Sequence, residues 1–224
     1  MLVAIEGIDG SGKGTQAALL RDRLEQSGRS AALISFPRYE HTAFGRAIGD
    51  FLNGRFGPLD AVSPFLASLL YAGDRFESRP VLDEALRTND VVVLDRYVAS
   101  NIAHQGAKLE QAEREELRQF IERIEYDVHQ LPRPDLTLWL DVPAEVAQRL
   151  IARKPRRNYT DKPADLQEAD GGYLGRVRAV YRELAGTETN WQRIDCLHGG
   201  ALRPVDVIAA DVWSAVSVLG EQPA

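Results

Sequence analysis

The sequence predicts an α/β fold in which a mostly parallel sheet is covered on both faces by helices. Three observations carry this. Five short apolar, β-branched runs recur along the chain: LVAIE (2–6), AALISF (31–36), VVVLD (91–95), LTLWLD (136–141) and WQRID (191–195). The segments between them have helical apolar spacing, and a glycine-rich loop stands directly between the first run and the first helical segment. Strands that alternate with helices are joined by crossovers, which make the sheet parallel. At 224 residues, with 44% hydrophobic and 27% charged residues, the chain reads as one globular domain (1–224) with a core that needs no staples.

The first run leads into GIDGSGKGT (7–15), and TQAALLRDRLEQSG then reads as an amphipathic helix closed by Gly28. The loop nearly matches G-x-x-x-x-G-K-[ST], but Gly14 occupies the hydroxyl position and Thr15 follows it. Strand, loop and helix together form a phosphate cradle from Gly7, Ile8, Asp9, Gly10, Ser11, Gly12, Lys13, Gly14 and Thr15. Backbone N–H groups and the helix N-terminus hold a nucleotide β-phosphate, and Lys13 reaches the β and γ oxygens. The plainer alternative is a tight glycine turn with a surface lysine.

The second run ends in Phe36-Pro37-Arg38-Tyr39, which sets Arg38 at a strand end facing the same cleft. A long helical stretch follows from Ser63 to about Leu86. It carries YAGDR (71–75), with Tyr71 and Arg75 one turn apart. An aromatic face beside a guanidinium suits a flat heterocycle with carbonyl acceptors; a core tyrosine next to a surface arginine is the commoner cause of such a pair. After the third run, DRYVASNIAHQG (95–106) puts Asn101, His104 and Gln105 on one helix face, which could read a nucleobase and sugar or simply be polar surface.

Beyond the fourth run, Arg149, Arg153, Lys154, Arg156 and Arg157 precede Asp165 and Glu168, within a stretch rich in charge, Pro and Gly. It reads as a closing lid at about 149–170, or as a solvated face. The last helix has Pro204 near its start, an apolar face of Ile208, Val212, Ala215, Val216 and Leu219, and Gly220 beyond its end. Ligands in such sheets bind past the carboxyl ends of the strands, so Glu6, Asp95 and Asp141 are candidates for one shared edge.

The chemistry points to transfer. Arg96 follows VVVLD where many ATPases carry a water-activating glutamate. An arginine cannot activate water, but it can bind a second phosphate and stabilise a phosphoryl group in flight. No N-K-x-D motif marks a GTPase switch, and Glu6 stands where partition-type ATPases carry an extra lysine. A net charge of −6 argues against a nucleic-acid partner. No run approaches a membrane span, the N-terminus lacks signal-peptide character, and Cys196 is the single cysteine, so a cytoplasmic location is expected.

These residues together resemble the thymidylate kinase family, through AIEGIDGSGKGTQ, FPRY, YAGDR, LDRYVASNIAHQG, PDLTLWLDVPAEVAQRL, the arginine-rich stretch and VRAVYREL. The resemblance implies a P-loop NTPase-type core of five parallel strands, a homodimer, ATP as donor, dTMP as acceptor, and Mg²⁺ arriving on ATP. It implies that Lys13 holds the donor phosphates, Arg96 bridges donor and acceptor, Arg38 grips the dTMP phosphate and Asp9 lies near the acceptor. Tyr71 is then the stacking aromatic, Arg75 reads a base carbonyl, and Ser100, Asn101 and Gln105 sit on the helix facing base and sugar. In one branch of the family the phosphate loop carries an assisting arginine; Gly10 fills that position here, which leaves the work to Arg153 or Arg157. His104 replaces a tyrosine that commonly underlies the deoxyribose, so weaker rejection of dUMP or ribonucleotides is expected. With Gly14 in the hydroxyl position, Mg²⁺ is held chiefly by ATP oxygens and water, with Asp9, Asp95 and Thr15 acting indirectly. Three readings follow: a dTMP kinase, a kinase for another nucleoside monophosphate or a deoxynucleoside, and a regulatory nucleotide-binding module.

Overall fold

The five apolar runs form β1 (Leu2–Glu6), β2 (Ala31–Ser35), β3 (Val91–Asp95), β4 (Leu136–Asp141) and β5 (Trp191–Asp195). They make one sheet in the order β2-β3-β1-β4-β5, with every neighbouring pair parallel. The computed structural model describes residues 1–58, 61–152 and 171–220. Every residue of β1 and of β4 is buried, as continuous apolar runs covered on both faces require.

The helices are α1 (Lys13–Gln26), α2 (Ala43–Leu52), α3 (Pro64–Glu77), α4 (Arg79–Thr88), α5 (Val98–Gly106), α6 (Gln111–Glu122), α7 (Ala144–Ile151), α8 (Gly171–Thr187) and α9 (Val205–Gly220). The chain moves one way from β1 to β2 and the other way through β3, β4 and β5. Right-handed crossovers therefore put α1 on one face and the later crossover helices on the other. α9 packs on α1, while α5 packs against α3, α6 and α8. The apolar face expected of α9 is buried at Ile208, Val212, Ala215 and Val216, and the helix runs through Gly220 rather than stopping before it.

The single helix expected from Ser63 to Leu86 is two. α3 stops at Glu77 and α4 starts at Arg79, because Pro80 has no N–H for the carbonyl of Phe76. The Ser78 hydroxyl instead donates to the Asp74 carbonyl at 2.7 Å. Past α6 the coil widens into one π-helical stretch, Arg123–Val128, where His129 N–H donates to the Ile124 carbonyl at 2.8 Å. A short hairpin, β6 (Leu197–His198) with β7 (Ala201–Leu202), was not expected; Gly199 and Gly200, at φ 57° and 80°, make its two-residue turn.

The sheet's carboxyl edge is level. Ser35 pairs with Asp95, and Ile5 with Asp95 on the other side. Two further bonds extend the ladder into the loops: Phe36 N–H to the Asp95 carbonyl at 3.0 Å, and Arg96 N–H to the Ile5 carbonyl at 3.1 Å. The loops after β1, β2 and β3 are thereby fixed side by side. Among the described residues no helix is long and apolar enough to cross a membrane.

Candidate active site

Those three loops enclose a cleft of about 370 Å³. Asp9, Gly10, Gly12, Lys13 and Gly14 line one end, Tyr39, Leu52, Tyr71 and Arg75 the other, and Phe36, Pro37, Asp95, Arg96, Ser100 and His104 lie between them.

The phosphate loop owes its shape to two tight approaches. A Cβ on Gly7 would lie 2.8 Å from the Leu140 carbonyl oxygen, and one on Gly10 would lie 2.4 Å from that of Ala147. α7 thus closes down on the loop at Gly10, and no side chain fits there. Gly12, at φ 90°, precedes α1 without a side-chain cap, which leaves first-turn N–H groups directed at the cleft. Lys13 Nζ donates to the Ile8 carbonyl at 2.8 Å. Burial, and then the nearby Arg96, push the Lys13 ammonium down to about 7. Ile8 and Ser11 are buried within the loop, and Thr15 is exposed on the first turn of α1, outside the cleft lining.

Arg96 is held in the left-handed region, φ 68°, which turns its side chain back over the loop. Its Nη2 pairs with Asp9 Oδ1. Nη1 donates to Ser100 Oγ at 3.2 Å and the Gly7 carbonyl at 3.4 Å, and lies 3.3 Å from His104 Nε2. Burial opposes its charge, but Asp9 and its other acidic neighbours outweigh this and raise the guanidinium well above its ordinary value. It stays a cation.

Of the three strand-end acids only Asp95 lines the cleft. Glu6 is fully buried and pins the start of α5: it accepts from Tyr97 N–H at 2.8 Å, Ser100 N–H at 3.2 Å, Ser100 Oγ at 2.6 Å and Tyr181 OH at 2.8 Å. Burial raises its carboxyl, and the hydrogen bonds pull the other way. Asp141 is taken by Arg178 Nε at 2.6 Å and Arg193 Nε at 3.0 Å. It is structural, a correction to its expected place at the ligand edge.

The Tyr71–Arg75 end departs further from expectation. Arg75 lines the cleft, yet its Nε and Nη2 are held by Glu125, a buried residue that the sequence reading missed. Burial disfavours the Arg75 charge, and Glu125 more than offsets this, so its pKa is raised. Asn101 Nδ2 joins the pair, donating to Glu125 Oε1 at 2.9 Å and the Ser68 carbonyl at 3.0 Å, so Asn101 sits behind the cleft wall instead of lining it. Gln105 is also buried behind it, accepting from Lys108 Nζ at 2.8 Å. Asn101 Oδ1 and Gln105 Nε2 are buried without a partner among the described residues. A carboxylate on the buried stripe of Leu117 and Ile121, at the next i+4 position, was the available signal for Glu125.

Arg38 does not line this cleft. Asp74 Oδ2 accepts from its backbone N–H at 3.0 Å, and its Nη1 donates to Ser78 Oγ at 3.3 Å, which draws the side chain to the α3–α4 break. Phe36, Pro37, Tyr39 and Tyr71 do line it. Arg149 is exposed on α7; Arg153, Lys154, Arg156, Arg157, Asp165 and Glu168 lie outside the described residues.

A phosphate loop at one end, a buried guanidinium at the other and a second arginine between them, on a five-stranded parallel sheet, define a P-loop nucleotide phosphotransferase. The thymidylate kinase family model matches residues 5–199, and the chain belongs to that family. It is 37% identical over 185 residues to the thymidylate kinase of Mycobacterium tuberculosis, covering 83% of this chain and 86% of that one. It is 35% identical over 190 residues to a probable thymidylate kinase of Thermococcus gammatolerans, covering 83% of each. Among solved structures, thymidylate kinase from Candida albicans superposes with a TM-score of 0.73 at 25% identity, over 98% of this chain and 92% of that one. The chain is therefore an enzyme, and its reaction is ATP-dependent phosphorylation of dTMP to dTDP.

Proposed function

We propose that ATP and dTMP meet in this one cleft at Arg96, with the donor phosphates on the loop and the thymidine toward Tyr71 and Arg75. The observation that carries the reading is the position of Arg96, half-buried and held between the loop aspartate Asp9 and the α5 residues Ser100 and His104. Lys13 and the loop N–H groups bind the donor. Arg96 spans the two phosphates, and Asp9 holds it there until they arrive. Arg38 reaches the acceptor phosphate by leaving Ser78 for another rotamer, from a backbone position beside Pro37 and Tyr39, which line the cleft. A phosphate monoester is already nucleophilic at neutral pH, so positioning and charge neutralisation supply the catalysis and no general base is required.

The residues present fit a magnesium ion. Asp95 lines the cleft with Oδ1 buried and unpartnered among the described residues, a hard oxygen suited to Mg²⁺ or its water. Asp95, with Asp9 nearby, would hold the ion through water, and the ion neutralises β and γ oxygens when bound. Among the described residues no group of three or more His, Cys, Asp and Glu could hold a metal, which favours an ion carried in by the nucleotide. We read 149–170 as the lid, with Arg153 and Arg157 acting on the transferred group.

Exposed Leu66, Leu69 and Phe76 follow one face of α3, with Phe44 lying against Gly73 on that face. This apolar stripe supports a homodimer. The buried free thiol of Cys196, pushed up to about 12 by burial, supports a cytoplasmic setting. Coupled ADP-release kinetics with dTMP, dUMP and UMP test the assignment of the cleft. Turnover highest with dTMP is expected; a UMP rate equal to the dTMP rate removes the thymidine reading.

A further inference from the structure

The histidine that stands where the family commonly has tyrosine lines the cleft, yet both of its ring nitrogens are committed to protein groups. Nε2 lies 3.3 Å from Arg96 Nη1, and Nδ1 lies 3.1 Å from Tyr173 Oη. The Tyr173 hydroxyl in turn reaches the His104 carbonyl at 2.8 Å. The chemistry of the partners fixes every proton. A guanidinium only donates, so Nε2 must accept. A neutral imidazole then carries its proton on Nδ1, which donates to Tyr173 Oη, and the tyrosine gives its one hydroxyl hydrogen to the His104 carbonyl. A second proton on the ring would set an N–H against the Arg96 cation.

We propose that His104 is a positioning residue for Arg96: its Nε2 accepts from the guanidinium and fixes it over the phosphate loop, and Tyr173 locks the tautomer that makes this possible. The inference rests on the reading of Arg96 as the residue that spans the two phosphates. Burial, and then Arg96, push the His104 imidazolium down to about 3, which keeps Nε2 an acceptor across the working range. The remaining partners of Arg96 show why this contact matters. Asp9 takes Nη2, whereas Nη1 is shared among Ser100, Gly7 and His104, and Ser100 Oγ is itself occupied by Glu6 and Tyr181. Like Ser100, His104 lines the cleft beside the guanidinium and adds no negative charge, but its ring nitrogen has no carboxylate partner competing for it. It orients Arg96 without weakening its pull on phosphate.

The test exploits which ring nitrogen each amide can mimic. In H104Q the amide reaches the Nε2 position and can present an oxygen to Arg96. In H104N it reaches only the Nδ1 position, which preserves the Tyr173 contact and loses the Arg96 one. With the full-length enzyme, H104N is expected to lower kcat about ten- to a hundredfold, the worth of a hydrogen bond to a charged group, with the ATP KM little changed. H104Q should recover most of that loss. Y173F, which frees the tautomer, should lower kcat by a smaller factor. In the R96A background, H104N should add little, because it acts through the missing guanidinium.

Equal kcat in H104N and H104Q, or a full additive loss in R96A/H104N, overturns the inference while leaving Arg96 in its role. Near wild-type turnover in R96A alone overturns that role, and the inference with it. A change confined to the KM for dTMP relative to UMP would make His104 a sugar contact instead. Melting temperatures of H104N and H104Q control for folding, since both remove the same ring.

Discussion

Glu125→Gln isolates the buried ion pair behind the Tyr71–Arg75 end of the cleft. Glu125 accepts from Arg75 Nε and Nη2 and from Asn101 Nδ2, and the side chains of Arg75 and Glu125 are 2% and 0% exposed. Removing one partner of such a pair leaves a charge that neither water nor protein neutralises, at a cost of about 3–5 kcal/mol. Glutamine keeps one acceptor oxygen, which places this substitution near the lower figure. For a chain of this size about 3 kcal/mol corresponds to a fall in melting temperature of about 6–12 °C. The substitution also frees Arg75 and Asn101 to move, so the KM for dTMP should rise while the KM for ATP holds. Calorimetric unfolding and steady-state kinetics measure the two effects. A loss below about 2 °C would refute the argument that Arg75 depends on Glu125 for its charge. Replacing both partners by leucine sharpens the test. An apolar pair of similar volume often restores stability, so the double variant should regain much of the melting temperature and still bind dTMP poorly. That result would separate the pair's function from its contribution to the fold.

Two further outcomes follow from the phosphate loop. Burial and Arg96 push the Lys13 ammonium down to about 7, and bound phosphates favour its charged form and raise that value. ATP binding at about pH 8 should therefore take up a proton, and affinity should fall as pH rises past 7. Calorimetric titrations in buffers of different ionisation enthalpy count that proton, and a count of zero removes the argument. Gly10→Ala, at φ 81° with its Cβ 2.4 Å from the Ala147 carbonyl oxygen, should cost about 2 kcal/mol or more in urea unfolding by forcing α7 off the loop. An unchanged midpoint would mean that α7 yields freely.

All five strands were legible as short runs bounded by polar or glycine-containing segments, four of them predominantly apolar and WQRID more weakly so, a signal that needs no partner to be read. The phosphate loop was legible for the same reason: its strand, glycines, lysine and helix are contiguous. What the sequence hid were pairings between distant segments. Glu125 meets Arg75 across 50 residues; the Leu117–Ile121 stripe could have marked its side of the coil as buried, but not its partner. Tyr173 meets His104 across 69 residues. Arg38 is drawn to Ser78, and Ser78 is available because Pro80 breaks the long helix there. The proline could have been read as a stop. Asp74, the buried acceptor for the Arg38 backbone, lay inside the quoted YAGDR stretch without local sign of its partner.

The unusual feature of the loop, glycine in place of the hydroxyl residue after Lys13, has a steric counterpart across the cleft. A Cβ on Gly14 would lie 3.0 Å from Asp95 Oδ2, closer than side chains ordinarily approach. The carboxylate at the end of β3 thus crowds the space that a serine or threonine side chain would enter. The two features belong together: a hydroxyl at position 14 would force Asp95 to shift, and with glycine there the aspartate can stand close to the loop. Its other oxygen is buried and unpartnered among the described residues. Thr15, exposed one residue further along α1, is not among the residues that line the cleft. Gly14 is thus the steric complement of Asp95, and the close approach of β3 to the phosphate loop depends on the missing side chain.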